Sequence, residues 1–309
     1  MSVRSPHVQV RVSLDRVRAA AESIRRTTGV RLIAVVKSDA YGLGAAPVAD
    51  ALAAVVDEFA YFALAEAREL GRGGLVLGPP DGEPAEYRAL GLRPAVATPE
   101  AAARFAGLPV AIEVDTGMQR FGCPPEALDD LARRCTVADY FSHAVTVEAA
   151  HRLRAACGRR GRPLHCAATS LLEYPETWLD AVRPGLALYR GAVRVSTRLH
   201  TVRDAEGPVG YTGFESPRVG VILAGYSNGL SAAPVLINGR RQQILEVGMN
   251  TAFVSAESDD RAGDEVVLLG DGLTEAELAQ HLGIRPHEVL CRYTALGVRQ
   301  YDRAAARAT

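Results

Sequence analysis

Lys37 is the residue of this sequence with the clearest capacity for chemistry, because it is the one lysine in 309 residues. Lysine and arginine together number 35, so all the other basic side chains are arginine. A GC-rich coding sequence favours arginine over lysine, but this bias does not explain the one position that kept lysine. Lysine can lose its proton and form a Schiff base with a carbonyl compound, which arginine cannot do. Lys37 is therefore a candidate nucleophile, and the alternative is a solvated lysine without a chemical role.

A run of parallel strands and helices is expected to position Lys37. Residues 31 to 190 alternate short apolar runs with Ala/Glu/Arg-rich stretches of helical period, a pattern typical of βαβ units. The eight strand candidates are RLIAVVK, FAYFAL, GGLVLG, RPAVAT, PVAIEVD, ADYFSHAV, PLHCAA and AVRPGLALY. Eight strands favour a (β/α)8 barrel over an open doubly wound sheet, and we assign the barrel to residues 9–196. This span is shorter than the ~250 residues usual for the fold, so some helices or loops must be trimmed.

The sequence after residue 196 changes to extended runs separated by turn signals. These runs are VRVSTRLHTV, VGVILAGY, APVLING, QQILEVGMNTAFVSA and DEVVLLGDG. They predict a second, mostly β domain over residues 197–309. One helix is expected within it, where Thr274 and Glu277 form a capping box and Gly283 ends the helix.

Composition excludes several other classes of function. A formal net charge of −1, without a basic run, argues against a nucleic-acid partner. No stretch approaches 18 uncharged apolar residues and the N-terminus has no apolar signal-peptide core, so we expect a soluble, cytoplasmic protein without a membrane partner. The five cysteines are widely spaced and include no CxxC, which indicates free thiols and no metal site.

The segment around Lys37, AVVKSDAYGLG, closely resembles the segment around the pyridoxal phosphate lysine of alanine racemases. Seven more family motifs follow in family order: VDTGMQRFG, FSHA, CAATS, VRPGLALY, GYTG, AGYSNG and VGMN. Because they span both predicted domains, the chain is identified as a member of this family. The resemblance implies a pyridoxal phosphate-dependent isomerase that racemises a small α-amino acid, as a homodimer with active sites shared between subunits.

The resemblance also implies two catalytic bases on opposite faces of the substrate Cα. Lys37 corresponds to the lysine that binds pyridoxal phosphate covalently and serves as one base. Tyr211 of GYTG resembles the other base, which this family takes from the partner subunit. Racemisation needs both, because a proton is removed from one face and returned on the other.

Further residues are implied to bind the cofactor or the substrate. Arg183 matches the arginine that faces the pyridine nitrogen, where a fixed cation makes the ring a weaker electron sink and suppresses side reactions. The remaining cofactor contacts implied are Ser170, the backbone N–H groups of Gly185 and Leu186, the Tyr41 hydroxyl, Tyr226, and His143 beside the ring. His143 could equally be a buried, hydrogen-bonded histidine. Arg120 and the backbone N–H of the partner's Met249 are implied to bind the substrate carboxylate.

Three features depart from the family pattern. Glu113 stands where the family commonly has a lysine, often carbamylated, and it could supply the negative charge beside Arg120 directly. Asn250 replaces the aspartate of the usual Met-Asp pair. The C-terminal CRYTALGVRQY contains no residue that can be matched to a phosphate-contacting tyrosine.

These departures leave two alternatives open. The first is another pyridoxal phosphate-dependent reaction of an amino acid, such as a lyase, a decarboxylase or another biosynthetic step. The second is a pyridoxal phosphate-binding homologue without turnover, against which Tyr211 argues because a binding protein needs no second base. The sequence leaves open which amino acid is the substrate and whether the pathway serves cell-wall supply or a specialised product.

Overall fold

The computed structural model describes residues 4–302 and divides into two compact units. Among these residues, one unit comprises 17–40 and 44–188, and the other comprises 4–16, 41–43 and 189–302. We call them the barrel and the β domain. Within residues 4–302, no helix combines the length and the apolar character that a membrane crossing needs.

Eight parallel strands form the barrel, closing in sequence order with the last strand paired to the first. The strands are β2 (Arg31–Val35), β3 (Glu58–Tyr61), β4 (Gly74–Val76), β5 (Leu92–Val96), β6 (Pro109–Glu113), β7 (Thr136–Phe141), β8 (Leu164–His165) and β9 (Ala181–Val182). Each one lies within or beside a predicted strand, so the (β/α)8 prediction is confirmed. Four of the five residues of β2 are buried, as expected for a parallel strand covered on both faces.

Helices precede, connect or follow the barrel strands. They are α1 (Leu14–Thr28), α2 (Lys37–Tyr41), α3 (Ala45–Leu52), α4 (Leu64–Leu70), α5 (Pro84–Leu90), α6 (Pro99–Arg104), α7 (Leu128–Arg134), α8 (Val147–Cys157) and α9 (Leu186–Tyr189). Single 3-10 turns cover Pro125–Ala127, Thr169–Leu171 and Pro175–Thr177. The helices between strands are the shortened parts expected from the sequence, since α4, α5 and α7 have seven residues each.

A buried layer of charged side chains crosses the barrel between strands that are not neighbours. Arg93 on β5 contacts Glu58 on β3 at 2.9 Å and Asp139 on β7 at 2.8 Å. His165 Nε2 on β8 lies 3.6 Å from Asp139 Oδ1. One strand separates β5 from β3 and another separates it from β7, so the Arg93 contacts form only through the barrel interior, where branched apolar side chains are usual. Arg93 is therefore the cation that Glu58 and Asp139 share, and Arg31 also lies 3.6 Å from Glu58.

Replacing Arg93 by methionine is expected to destabilise the fold strongly. The change leaves the buried Asp139 and the partly buried Glu58 without their common cation, and removing one partner of a buried ion pair typically costs about 3–5 kcal/mol. Urea unfolding measures the effect. Arg133→Met is the control, because Arg133 is exposed and its contact with Asp130 is a surface pair worth at most ~1 kcal/mol. Equal unfolding free energies for the two variants would contradict the role assigned to Arg93.

The β domain is an eight-stranded sheet in the order β11-β14-β13-β12-β15-β10-β1-β16, with a further pairing of β10 and β11. Its strands are β1 (Ser5–Ser13), β10 (Val193–Asp204), β11 (Arg218–Ile222), β12 (Pro234–Ile237), β13 (Arg240–Val247), β14 (Ala252–Ser255), β15 (Glu265–Leu269) and β16 (Gly297–Asp302). All the pairings are antiparallel except that of β1 with β16. A 3-10 turn covers Tyr226–Asn228. The prediction of a mostly β second domain is confirmed.

Two strands and one helix of the β domain differ from the sequence expectation. β1 lies in the sheet beside β10, although residues 9–13 were expected in the barrel, and the expected boundary at residue 196 falls inside β10. β16 was not predicted. The predicted helix is α10 (Glu275–Leu282), capped by Thr274, whose hydroxyl accepts the Glu277 amide at 3.2 Å. A second helix, α11 (Pro286–Ala295), follows it.

Candidate active site

One residue separates Lys37 from the end of β2, and Lys37 begins a turn with left-handed backbone. The Val36 amide donates to the Ala60 carbonyl at 2.9 Å, which continues the β2–β3 pairing up to the residue before the lysine. Within α2, Ser38, Asp39 and Ala40 have φ of 52–54° and ψ of 45–51°, and Tyr41 has φ of 57°. Left-handed backbone costs non-glycine residues roughly 1–2 kcal/mol each, so other contacts must hold this turn.

Glu66 and Asp39 supply those contacts. The Glu66 carboxylate accepts the Ser38 amide at 2.8 Å and the Phe62 amide at 2.7 Å, and thereby joins the segments that leave β2 and β3. The Asp39 side chain accepts the Ala45 amide at 2.7 Å. Glu66 was not predicted from the sequence, because the sequence around a helical carboxylate does not indicate that it will accept hydrogen bonds from two loop amides.

The Lys37 amine lies at the C-terminal end of the barrel beside an aromatic pair. Its Nζ atom is 5.9 Å from the centre of the Phe62 ring, and the Phe62 ring is 6.3 Å from that of Phe121. Phe121 in turn stacks under the Arg120 guanidinium at 4.8 Å. The predicted nucleophile and the predicted carboxylate-binding arginine are thus linked through two rings.

His143 lies close to three cationic side chains. Burial lowers its pKa to about 4, and repulsion from Arg183, Arg120 and Lys37 adds to the shift. The imidazole is therefore neutral near pH 7, and the structure places it among the other predicted site residues. A neutral imidazole offers one donor and one acceptor.

Arg183 follows β9 and is almost completely buried, with 3% of its surface exposed. Its Nη2 donates to the Ser142 carbonyl at 2.6 Å, and the guanidinium packs over the Phe141 ring at 5.0 Å. Among residues 4–302, Nε has no hydrogen-bond acceptor and no carboxylate lies within ion-pair distance. A buried N–H without an acceptor is costly, so this donor fits a ligand acceptor such as a pyridine nitrogen.

The predicted phosphate contacts lie on two neighbouring segments of the barrel. Ser170 is exposed in the 3-10 turn Thr169–Leu171, and Gly185 and Leu186 begin the short helix α9. The Thr169 hydroxyl accepts the Ala187 amide at 3.0 Å, which ties the two segments together. First-turn amides of a helix have no acceptor within the helix, so this corner suits an anion. Thr169 was missed by sequence analysis.

Arg120 and Glu113 form an ion pair at the end of β6. Glu113 is 5% exposed, and its Oε1 atom lies 3.8 Å from Nη2 of Arg120. Asp115 shapes the loop between them by accepting the amides of Gly117 and Gln119 at 2.7 and 3.1 Å. A cavity of about 470 Å³, which both charged side chains line, opens beside them. The arginine is thus oriented by a buried carboxylate.

Three predicted residues lie together on the surface of the β domain. Tyr211, Tyr226 and Met249 are 88%, 57% and 57% exposed. The Tyr226 amide donates to the Gly248 carbonyl at 2.9 Å, and a Cβ on Gly225 would stand 2.3 Å from the carbonyl oxygens of Gly248 and Met249. Gly225 is therefore needed for this close approach of backbones.

Asn250 and Tyr41 make defined contacts within the β domain. The Ser227 hydroxyl donates to the Asn250 side-chain oxygen at 2.8 Å, so the amide supplies an acceptor oxygen where an aspartate would supply a carboxylate oxygen. The Tyr41 ring packs on Tyr189 at 5.2 Å, and burial, reinforced by Cys291, raises its pKa to about 12. The Tyr41 hydroxyl is thus neutral, and its predicted phosphate contact stays a prediction.

Two family descriptions match most of the chain. Residues 12–193 match "Alanine racemase, N-terminal domain", and residues 192–301 match "Alanine racemase, C-terminal domain". A Salmonella typhimurium protein named "Alanine racemase, biosynthetic" is 29% identical over 331 aligned positions, which cover 88% of this chain and 92% of that protein. A Photobacterium profundum alanine racemase is 29% identical over 60% of this chain and 65% of that protein.

Solved structures agree over nearly the whole length. The biosynthetic alanine racemase from Pseudomonas aeruginosa has a TM-score of 0.87 and 26% identity, covering 97% of this chain and 100% of that chain. An alanine racemase from Bartonella henselae, crystallised with covalently bound pyridoxal phosphate, has a TM-score of 0.87 and 21% identity over 96% of this chain. The second likeness bears on the fold alone.

Proposed function

Because this chain belongs to the alanine racemase family, we propose that it interconverts the enantiomers of a small α-amino acid with Lys37 and Tyr211 as its two bases. It is a pyridoxal phosphate-dependent enzyme of that family. The observation that carries the proposal is that Lys37 and Arg120 lie on either side of the Phe62–Phe121 pair at the C-terminal end of the barrel, with the neutral His143 near both and near Arg183. Lys37 would supply the amine that binds the cofactor, Arg183 a donor to its ring, and Arg120 a cation for the amino-acid carboxylate.

The residues of the barrel fit the cofactor. Arg183 would hold the pyridine nitrogen through its unused Nε, and Ser170 with the amides of Gly185 and Leu186 would hold the phosphate. When bound, pyridoxal phosphate withdraws electrons from the substrate Cα and makes its proton removable. Because a guanidinium keeps its own proton, Arg183 gives the ring nitrogen a hydrogen bond without giving it a charge.

Two side chains, Lys37 of the barrel and Tyr211 of the β domain, would transfer the proton. Lys37 removes or returns the Cα proton on one face, and Arg120 orients the substrate by its carboxylate. Tyr211 acts on the other face. A base on each face lets the proton be removed from one side and replaced on the other, which inverts the configuration.

We also propose that the enzyme is a homodimer in which Tyr211 and Met249 serve the partner's barrel. The support is the exposed set of Tyr211, Tyr226 and Met249, since clustered exposed apolar side chains commonly mark an interface. Light scattering on the purified holoenzyme tests the dimer, and a strictly monomeric active enzyme would exclude it. Cytoplasmic location is a further proposal, supported by the five cysteines, none of which forms a disulfide within residues 4–302.

Proton exchange in deuterated water tests the reaction. Panels of L- and D-amino acids are incubated with the holoenzyme, and the products are analysed by chiral chromatography and mass spectrometry. A racemase converts either enantiomer to its antipode with one solvent deuterium at Cα. A lyase or decarboxylase would instead change the molecular mass beyond that label, and a binding protein would leave every amino acid unlabelled.

Glu113→Gln is expected to weaken substrate binding while stabilising the fold. Burial raises the pKa of Glu113, although Arg120 and Arg183 oppose the shift. A carboxyl with a raised pKa stabilises the folded state while protonated, and this contribution is lost as pH rises through the folded pKa. The variant should therefore unfold at a higher urea concentration than wild type in neutral buffer, and by a smaller margin in mildly acidic buffer.

The same variant should raise KM for the amino acid about fivefold, because a partly exposed ion pair that orients Arg120 is worth ~1 kcal/mol. Steady-state kinetics and urea titrations measure the two effects. The exposed Glu126→Gln is the matched control for loss of one carboxylate. An unchanged KM would show that Glu113 does not orient Arg120.

A further inference from the structure

Tyr211 lies at the tip of a short turn, and its exposed side chain contributes little to the stability of that turn. The Val209 amide donates to the Phe214 carbonyl at 2.8 Å and closes the turn. Gly210 and Gly213 have φ of 71° and 69° on either side of the tip. Because 88% of Tyr211 is exposed, packing against its own chain cannot fix the direction of the ring. Contacts of the backbone must do so.

The carboxylate of Glu246 makes those contacts. Its Oε1 accepts the Tyr211 amide at 2.9 Å, and its Oε2 accepts the Thr212 amide at 2.8 Å and the Thr212 hydroxyl at 2.6 Å. Glu246 lies on β13, next to the point where its pairing with β14 shifts register. Hydrogen bonds to a charged acceptor are about twice as strong as neutral ones. Three of them converge on the two residues at the tip.

The turn is built to admit this carboxylate. A Cβ on Gly210 would stand 2.4 Å from Glu246 Oε1 and 2.8 Å from the Phe214 ring, so a larger residue at position 210 would displace one of them. Phe214, the other neighbour of that Cβ position, packs edge-on against Phe253 at 5.6 Å. The turn is therefore held by a carboxylate and by an aromatic pair.

We propose that Glu246 is a positioning residue for the Tyr211 base, a role that rests on the proposed function of Tyr211. By holding the amides of residues 211 and 212, the carboxylate sets the direction in which the phenol leaves the β domain. The Tyr211 ring passes over the backbone of Gly248, where an added Cβ would stand 3.4 Å from Cε2. Because residue 248 is a glycine, it has no side chain that could compete with the direction that Glu246 imposes.

The geometry requires a charged carboxylate rather than an amide. Hydrogen bonds from the Thr212 side chain and from the Tyr211 and Thr212 amides lower the pKa of Glu246, so it is ionised near pH 7. A glutamine has one acceptor oxygen, and its NH2 group would face an N–H donor. Glu246→Gln therefore breaks the contact on one side of the turn while keeping the size of the side chain.

Glu246→Gln is expected to uncouple proton exchange from racemisation. In deuterated water, the holoenzyme variant should lower kcat/KM for racemisation by about 10²-fold, the loss typical of a reacting group misplaced by ~1 Å. Exchange with retention, carried out by Lys37 alone on the other face, should persist, so the ratio of exchange to racemisation rises. Thr212→Val, which removes the hydroxyl bond only, should give a smaller rise. Glu215→Gln is the control, because Glu215 is exposed in the adjoining segment.

A readout without cofactor or substrate separates positioning from general damage. In the cofactor-free protein, amide hydrogen exchange at residues 211 and 212 should accelerate in Glu246→Gln and stay unchanged in Glu215→Gln, with the rest of the sheet protected as in wild type. Wild-type racemisation by Glu246→Gln overturns the inference, as does an equal loss of exchange and racemisation. Tyr211→Phe tests the proposed function itself: if that variant racemises normally, the assignment of Tyr211 falls, whereas failure of Glu246→Gln alone leaves it standing.

Discussion

Replacing Lys37 by arginine should abolish racemisation, lowering kcat by about 10⁴-fold or more, because the change removes both a base and the amine that binds the cofactor covalently. The arginine keeps the positive charge and the length of the side chain, so the fold should persist. The purified variant is expected to lack the visible absorbance of covalently bound pyridoxal phosphate. Absorbance spectra and racemisation assays under matched conditions measure both effects.

The lysine-poor sequence makes this test unusually clean. Borohydride reduction of the wild-type holoenzyme, followed by peptide mass mapping, should place the pyridoxyl group on the peptide that contains Lys37. Arg133→Lys is the matched control, because it adds a lysine at an exposed position. Labelling at residue 133 in place of residue 37, or turnover by the Lys37→Arg enzyme, would remove Lys37 from its assigned role.

Tyr211→Phe is expected to lower racemisation by about 10²–10⁴-fold, the usual contribution of a positioned acid or base. The change removes the hydroxyl and keeps the exposed ring. Because Lys37 still works on its own face, one enantiomer should continue to exchange its α-hydrogen with solvent deuterium while the antipode hardly forms. Chiral chromatography with mass detection measures exchange and inversion in the same sample.

Mixed subunits give this prediction its decisive control. Lys37→Arg and Tyr211→Phe chains should each be inactive in racemisation. When the two are co-expressed, a mixed dimer contains one site with an intact Lys37 and an intact Tyr211 from different chains. Racemisation should therefore return in part. Inactive mixed dimers, verified by mass spectrometry, would contradict the sharing of active sites between subunits.

The barrel was predictable because its signal is local. Strands such as β2 and β6 are short, apolar and buried on both faces, and each is followed by a helical stretch that reveals the βαβ repeat. β1 has the alternation of a half-buried strand, with Val8, Val10 and Val12 fully buried. Its partners, however, are β10 and β16, which lie far away in the sequence. The residues of β1 do not indicate which strands pair with it.

The residues of the candidate site likewise include some that the sequence could predict and some that it could not. Residues with a distinctive chemical type in a motif, such as Lys37 and Arg183, could be named from the sequence. Glu66, Thr169 and Glu246 could not, because each acts by accepting backbone amides from a segment distant in sequence. Any carboxylate or hydroxyl can do this, and only the folded backbone determines which one does.

The turn after Lys37 has a consequence for stereochemistry. Its left-handed conformation is unfavourable for L-residues because their Cβ crowds the following carbonyl oxygen, and a residue of the D configuration has no such conflict. A D-alanine placed at position 40 by chemical synthesis would therefore fit the observed φ of 52° better than the natural residue does. A protein proposed to invert amino acids thus has, next to Lys37, a backbone segment in the conformation that D-residues prefer.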